Sequence, residues 1–368
     1  MLDIVEGLKL CRDRKERAVL ATILEVEGSA YRREGARCLI SESGRIIGTL
    51  SGGCVEGDLF EHARAVMETG VSRTVRYDFR PEGDIFWGLG LGCNGALTIW
   101  LQSFDPIHHS EQAEQLVQDF QNRVSSMEAY TIGIVVESED RIKLPVGTQI
   151  ILNEADRDLH GFHRSSYRLK DTVIDGVSVK LFIEPVKPRP RLVIFGAGPD
   201  AVPLVRQAKA LDWHVTVADH RKDYANRKNF PEVDELVITG RGDCSELPVG
   251  EETYVVVMTH NFELDRTLVQ NMLPRPIPYL GVLGSRNRIE RMLDEILLSG
   301  VELKEKCLKK LHSPVGLDIG AESPEEIALS ILAEMVCRKN GRNGQSLKFR
   351  KEPLHERNKG IESVPVGA

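Results

Sequence analysis

Two of the chain's seven cysteines sit in glycine-dense turns, Cys54 in SGGCVEGD (residues 51–58) and Cys93 in GLGLGCNG (residues 88–95). Glycines such as Gly52 and Gly53 let the backbone turn sharply and leave N–H groups free to gather an anion. A thiol beside such donors, or at the start of a helix, ionises more readily. A thiolate in that setting suits a soft metal, a sulfur-transfer step or a covalent adduct. A structural zinc site would need four ligands, usually with paired CxxC spacing, and none occurs here. For each of the two thiols an inert, buried cysteine is the competing reading. Cys54 has the stronger case because the helical pattern DLFEHARAVMETG follows it, although Glu56 and Asp58 oppose a thiolate. Cys11, Cys38, Cys244, Cys307 and Cys337 lack the glycine context and read as packing residues.

Close by in sequence, GSAYRREGAR (residues 28–37) supplies Arg32, Arg33 and Arg37. Guanidinium forks match phosphate or carboxylate, while a solvated charged hairpin is the plainer alternative.

A second constellation lies further along. Gly196 and Gly198 in FGAGPDA follow an apolar strand and open a helix, and Asp219 ends the next strand, 23 positions after Gly196. That is the pattern of a dinucleotide-binding turn, in which glycines approach a pyrophosphate and the acid accepts from a ribose hydroxyl. Pro199 speaks against it, since it lacks the N–H that a phosphate would use. His260 in MTHNFELD, Ser285, Arg286 and Arg288 in GVLGSRNR, and Asp318 in HSPVGLDIGAESPEE stand at or near expected strand ends. Open parallel sheets bind ligands there, so these pieces are expected to converge on one crevice holding a phosphate-bearing ligand.

The elements that must position these residues follow from periodicity. MLDIVEGLKLCRDRKER places Ile4, Val5, Leu8 and Cys11 on one helical face, which reads as an amphipathic helix and not as a secretion signal. AVLATILEV, ARCLIS, RIIGTL, VSRTVRYDF and ALTIWLQSF read as strands, with EQAEQLVQDFQNRV as a helix. AYTIGIVVES, GTQIILN and VSVKLFIEP are further strand candidates, whereas residues 153–175 show no period and read as loop. PVKPRPR, with prolines at 185, 188 and 190, reads as a linker. Beyond it strands alternate with helices, which predicts a doubly wound parallel sheet.

The expected fold is therefore α/β: an N-terminal mixed α/β domain over 1–186, with 105–186 the least defined part, and a Rossmann-like C-terminal domain over 187–340. A disordered tail is expected over 341–368. The 368 residues are 41% hydrophobic and 28% charged, carry a net charge of −7 with pI near 5.9, and contain no apolar run of membrane length. Nothing in that balance recommends nucleic acid or membrane as a partner, and the odd cysteine count without a signal points to reduced thiols in the cytoplasm.

Taken together, GSAYRREGAR, GTLSGGCVEGD, GLGLGCNG, FGAGPDA, GVLGSRNR and GLDIGAESPEEIALSILAE resemble, in order, the motifs of the XdhC/CoxI family. The resemblance covers roughly residues 15–104 and 190–338. It implies a non-catalytic chaperone that binds the molybdenum cofactor (molybdopterin) and shields it while a cysteine desulfurase installs its terminal sulfur. The cofactor would then pass to xanthine dehydrogenase or a related molybdenum hydroxylase. On that implication Cys54 and Cys93 become molybdenum ligands through the cofactor. Arg32, Arg33, Arg37, Gly52, Gly53, Gly196, Gly198, Asp219, His260, Ser285 and Arg286 become cofactor-binding residues. The chain departs from the family pattern at Glu34, Asn94, Pro199 and Asn261, where proline, glycine, histidine and aspartate are frequent. No LAGGxSxRMG-like stretch of a fused cytidylyltransferase occurs. The glycine fingerprint alone supports a rival, an NAD(P)-dependent oxidoreductase, and an adaptor without any small-molecule ligand is a third reading. A carrier that shields a labile group between two partners is also expected to form a homodimer.

Overall fold

The computed structural model describes residues 1–53, 55–80, 95–153, 167–245, 247–300 and 304–351. The chain divides into two compact units, Met1–Pro188 and a second that begins at Arg189.

In the first unit an antiparallel sheet has the order β3-β2-β1-β5-β4, built from Ile46–Gly48, Arg37–Ser41, Ala18–Gly28, Gly95–Phe104 and Arg73–Asp78. The near-continuous apolar run of β1 reflects cover on both faces. Val19, Ala21 and Ile23 pack against Leu59, Ala63 and Val66 of helix α2 (Glu56–Thr69). Ala18 and Leu20 face helices α1 (Leu2–Asp13) and α3 (Ser110–Ser125). Gly70 stops α2 in the left-handed conformation at φ 70°, as its position after the last apolar residue predicts.

A second antiparallel sheet in the same unit has the order β7-β6-β9-β8, from Gln149–Leu152, Tyr130–Ser138, Val177–Val186 and Arg168–Ile174. Strand β8 corrects the reading of 153–175 as loop: it is an edge strand of mostly polar residues, and its register on β9 supplies the order that its own sequence does not signal. Residues 154–166 lie outside the described residues. Pro185 sits inside β9, not in a linker. It pairs with Thr131 on one side, while β8 reaches only to Ile183 on the other, so the missing N–H costs no ladder bond there.

The second unit carries six parallel strands in the order β12-β11-β10-β13-β14-β15. These are Glu235–Ile238, His214–Asp219, Arg191–Phe195, Thr253–Val257, Tyr279–Val282 and Leu311–His312. Counted within the unit, this is the 3-2-1-4-5-6 order of a Rossmann fold, and its direction reverses between β10 and β13. Alternate residues of β10 serve two cores. Leu192 and Ile194 meet Leu204, Ala208, Ile331 and Met335 of α4 (Ala201–Ala210) and α8 (Pro324–Lys339). Val193 and Phe195 lie in the core of α5 (Phe262–Met272) and α6 (Arg286–Leu298). A short helix α7 (Glu305–Leu308) precedes β15. Helix α8 opens with the capping box that its sequence announces, Ser323 and Glu326 around Pro324.

Residues 341–351, the start of the expected tail, include a 3-10 turn at Leu347–Phe349, and 352–368 lie outside the described residues. Among the described residues no helix is long and apolar enough to cross a membrane.

Candidate functional site

The loop from Gly196 to Ala201 leaves the sheet at the point where strand order reverses. Gly196 has φ 119°, and a Cβ there would run into the Met258 carbonyl, so the glycine is required by close packing against the end of β13. Asp219 faces inward and is 2% exposed. Its Oδ2 accepts from the Ala197 N–H at 2.8 Å and from Arg221 Nη2 at 2.7 Å. Its Oδ1 accepts from the N–H of Arg221 at 2.9 Å and from Arg221 Nε at 3.0 Å. Burial alone would raise this carboxyl, but the Arg221 guanidinium and the two backbone donors outweigh it and hold the group at about 2. These four donors occupy the lone pairs with which Asp219 was expected to accept from a ribose hydroxyl.

The helix start is equally poor in donors. Pro199 and Pro203 have no N–H, and those of Ala201 and Val202 bond back to the carbonyls of Gly198 and Pro199 at 3.1 and 3.3 Å. The Asp200 side chain folds over Gly198, where a Cβ would collide with its Oδ1. The surface that a pyrophosphate would approach is thus covered by a carboxylate. The Asp200 carboxylate over Gly198 and the missing N–H groups of Pro199 and Pro203 oppose the expected phosphate cradle at Gly196 and Gly198.

A different arrangement stands beside it. His260 follows β13 with φ 60°, a left-handed conformation that a histidine adopts at a cost of about 1 kcal/mol or more. Its Nε2 lies 2.7 Å from Asp200 Oδ2. Asp200 Oδ1 is buried and makes no hydrogen bond among the described residues. The loop that carries His260 is fastened from below by Asp265, which is fully buried and accepts from the Thr259 N–H at 3.2 Å and the Thr259 hydroxyl at 2.6 Å. Arg288 Nη2 donates to the other oxygen of Asp265 at 2.7 Å. Asn261, one of the departures from the family pattern, caps α5 by accepting from the Leu264 N–H at 3.0 Å.

His260 and Asp200 line a crevice of about 840 Å³, walled mainly by Pro199, Val202, Pro203, Leu283, Pro324 and Ile327, with Arg206 and Glu325 also present. Ser285 and Arg286 are exposed at the start of α6 and do not line it, nor does the exposed Asp318. Of the GVLGSRNR motif it is Arg288, through Asp265, that supports the crevice.

In the first unit Cys54, Cys93 and Asn94 lie outside the described residues. Around the first of them, Gly52 and Gly53 adopt φ 74° and 115°, and Ser51 Oγ accepts from the Val55 N–H at 3.1 Å just before α2. A Cβ on Gly52 would stand 3.7 Å from the Tyr31 ring, so the GSAYRREGAR turn does reach the glycine turn. Arg32 is exposed, and Arg33 is half-buried with Nε enclosed and without a hydrogen bond among the described residues.

Arg37 is corrected as a ligand-binding residue. Its guanidinium bonds Glu184 at 2.8 and 2.5 Å, Arg123 bonds the same carboxylate at 2.8 Å, and all three side chains are 3% exposed. Burial opposes the charge on Glu184, and the two guanidiniums outweigh it to keep the carboxyl below its ordinary range. Asp200, Asp265, Arg221 and Glu184 escaped sequence reasoning. Only their acidic or basic type within or beside a motif could have signalled them. Among the described residues no group of three or more His, Cys, Asp or Glu is placed to hold a metal ion.

Comparison with known proteins agrees with this architecture. Residues 192–335 match the family model described as XdhC Rossmann domain, and residues 11–78 match XdhC and CoxI family. The chain is 37% identical over 323 residues to a probable xanthine dehydrogenase subunit of Bacillus subtilis (strain 168), covering 88% of this chain and 93% of the relative. It is 24% identical over 318 residues to the Molybdenum cofactor insertion chaperone PaoD of Escherichia coli (strain K12), covering 86% and 82%. A crystal structure described as a xanthine dehydrogenase from Bacillus halodurans aligns with TM-score 0.71 and 30% identity, over 92% of this chain and 96% of that one. The chain belongs to the XdhC/CoxI family.

Proposed function

We propose that this protein is an accessory factor that binds the molybdenum cofactor and supports its insertion into xanthine dehydrogenase or a related molybdenum hydroxylase. The observation that carries the reading is the likeness, over most of the chain, to a relative named a molybdenum cofactor insertion chaperone. The first unit offers residues that fit such a group. The exposed Arg32 and the enclosed Nε of Arg33, unbonded among the described residues, suit a phosphate, beside a glycine turn whose Gly52 and Gly53 carry no side chains to block approach. Cys54, next in the chain, would offer the soft ligand that a molybdenum centre accepts, and Cys93 is its alternative. The cofactor would supply the metal and its exchangeable sulfur; the protein's part is to hold the phosphate end and keep water away. Sulfuration by a cysteine desulfurase and a homodimeric assembly belong to the same proposal.

The rival NAD(P)-dependent oxidoreductase meets physical obstacles in the second unit: a saturated Asp219, prolines at 199 and 203, and a carboxylate over Gly198. Isolating the protein from a molybdenum-replete host and measuring its bound molybdenum and pterin, then adding it to apo-hydroxylase, tests the proposal. Bound cofactor and restored hydroxylase activity are expected. Binding of NADPH or NADH without cofactor would favour the rival.

A further inference from the structure

The stretch 338–351, which closes α8 and follows it, carries Arg338, Lys339, Arg342, Lys348, Arg350 and Lys351 and no acid, in a chain whose net charge is −7. Two Asn-Gly pairs lie in it, Asn340–Gly341 and Asn343–Gly344, and all four residues are exposed. The chain's third such pair begins at Asn94, outside the described residues. Asparagine before glycine can close on itself, because no Cβ keeps the glycine amide nitrogen from the asparagine Cγ. The two pairs share that chemistry but not their surroundings. Asn340 is the C-cap of α8; its N–H donates to the Val336 carbonyl at 3.1 Å, and the Gly341 N–H donates to the Arg338 carbonyl at 3.2 Å. The nitrogen that would attack is therefore held in a hydrogen bond. At Asn343 the arrangement is reversed. The Gly344 N–H makes no hydrogen bond among the described residues, and Asn343 Oδ1 accepts from the Gln345 N–H at 3.2 Å. That bond folds the asparagine side chain back along the following peptide. It also sets a donor at the oxygen on which negative charge develops when a nitrogen adds to Cγ. The surrounding cations favour the deprotonated amide that serves as nucleophile.

We propose that Asn343 is a site of spontaneous covalent modification, converting to aspartate and isoaspartate through a cyclic imide, and that the fold directs this reaction to Asn343 over Asn340. The Gly344 N–H gives its proton to water or a buffer base, and the nitrogen forms a bond to Asn343 Cγ. The Cγ–Nδ2 bond then breaks, and ammonia leaves with the proton that the base returns. Water adds to one carbonyl of the imide and the C–N bond at that carbonyl opens, which gives isoaspartate or aspartate. One water is consumed and one ammonia released, with no oxidation or reduction. Either product sets a carboxylate among the six cations of 338–351. Isoaspartate also adds a backbone carbon beside Gly344, which is seated closely: a Cβ there would stand 3.0 Å from Leu317 Cδ1 and 3.6 Å from Cys337 Sγ. The modification thus acts on both the charge and the seating of the arm that carries the exposed Leu347 and Phe349. It is independent of the chaperone reading.

The test is an incubation of the full-length protein at neutral pH over several weeks. Peptide mass spectrometry with fragmentation follows the mass gain of amide-to-acid conversion at each asparagine, and enzymatic methylation of isoaspartyl carboxylates identifies the rearranged product. In the folded protein Asn343 is expected to convert about fivefold faster than Asn340, the factor that corresponds to the net worth of the one hydrogen bond that restrains Gly341. In guanidinium chloride, where both pairs lose their surroundings, the two rates should converge. Gln345→Pro removes the N–H that Asn343 Oδ1 accepts from. With folding checked by circular dichroism, it should slow Asn343 towards the Asn340 rate, with Asn340 in the same sample as the internal reference. Conversion at Asn340 as fast as at Asn343 in the folded protein overturns the proposal. So does an Asn343 rate that Gln345→Pro leaves unchanged, and so does the absence of any conversion at Asn343.

Discussion

Replacing Asp219 by asparagine separates a fastening role for this residue from a ligand-binding one. In the folded protein the carboxyl is held at about 2, against an ordinary 3.8, by Arg221 and two backbone N–H groups that overcome its burial. At 1.36 kcal/mol per pH unit, ionised Asp219 contributes about 2 kcal/mol to folding. Because the folded carboxyl binds its proton less tightly than the unfolded one, this contribution is complete above about pH 4 and vanishes as the pH falls through about 2. Asp219→Asn should therefore lose about 2 kcal/mol at pH 7 in urea unfolding followed by circular dichroism, and the difference from the parent should shrink towards pH 2. Its affinity for NAD(H) should match the parent's. An asparagine variant of unchanged stability that differed only in NAD(H) binding would refute the role of Asp219 as an internal fastener.

Further outcomes follow from particular contacts. Glu184→Gln leaves the Arg37 and Arg123 guanidiniums buried without their carboxylate, and should cost about 3–5 kcal/mol in the unfolding of the first unit. Gly196→Ala places a Cβ against the Met258 carbonyl at φ 119°, and should lower thermal stability by about 2 kcal/mol or more. Ser323→Ala removes one half of the α8 capping box and should cost about 1 kcal/mol, measured by the same urea titration. Cys54→Ser is expected to reduce molybdenum retention more than Cys93→Ser does, with far-ultraviolet circular dichroism unchanged in both.

The parallel sheet of the second unit could be read directly, because apolar strands such as RLVIF and TYVVV alternate with capped helices and leave little choice of topology. The reach of each side chain could not. Arg37 looked like an anion ligand because its partner, Glu184, stands 147 residues away. Asp219 matched a fingerprint by spacing, yet Arg221, two residues on, turns its carboxylate inward. Strand β8 was invisible because its exposed edge carries few apolar residues, and its order comes from β9. His260 was singled out by its place after a strand, but only the structure pairs it with Asp200, 60 residues earlier.

The most direct test of the chaperone reading is the molybdenum content of the purified protein, determined by inductively coupled plasma mass spectrometry together with the activity it restores to a molybdenum-free hydroxylase. Molybdenum and pterin should be bound in a fixed ratio to the chain, and client activity should rise with the amount of loaded protein. A chain that carries no cofactor when isolated from cells rich in it, and takes up none from a donor, would contradict that reading.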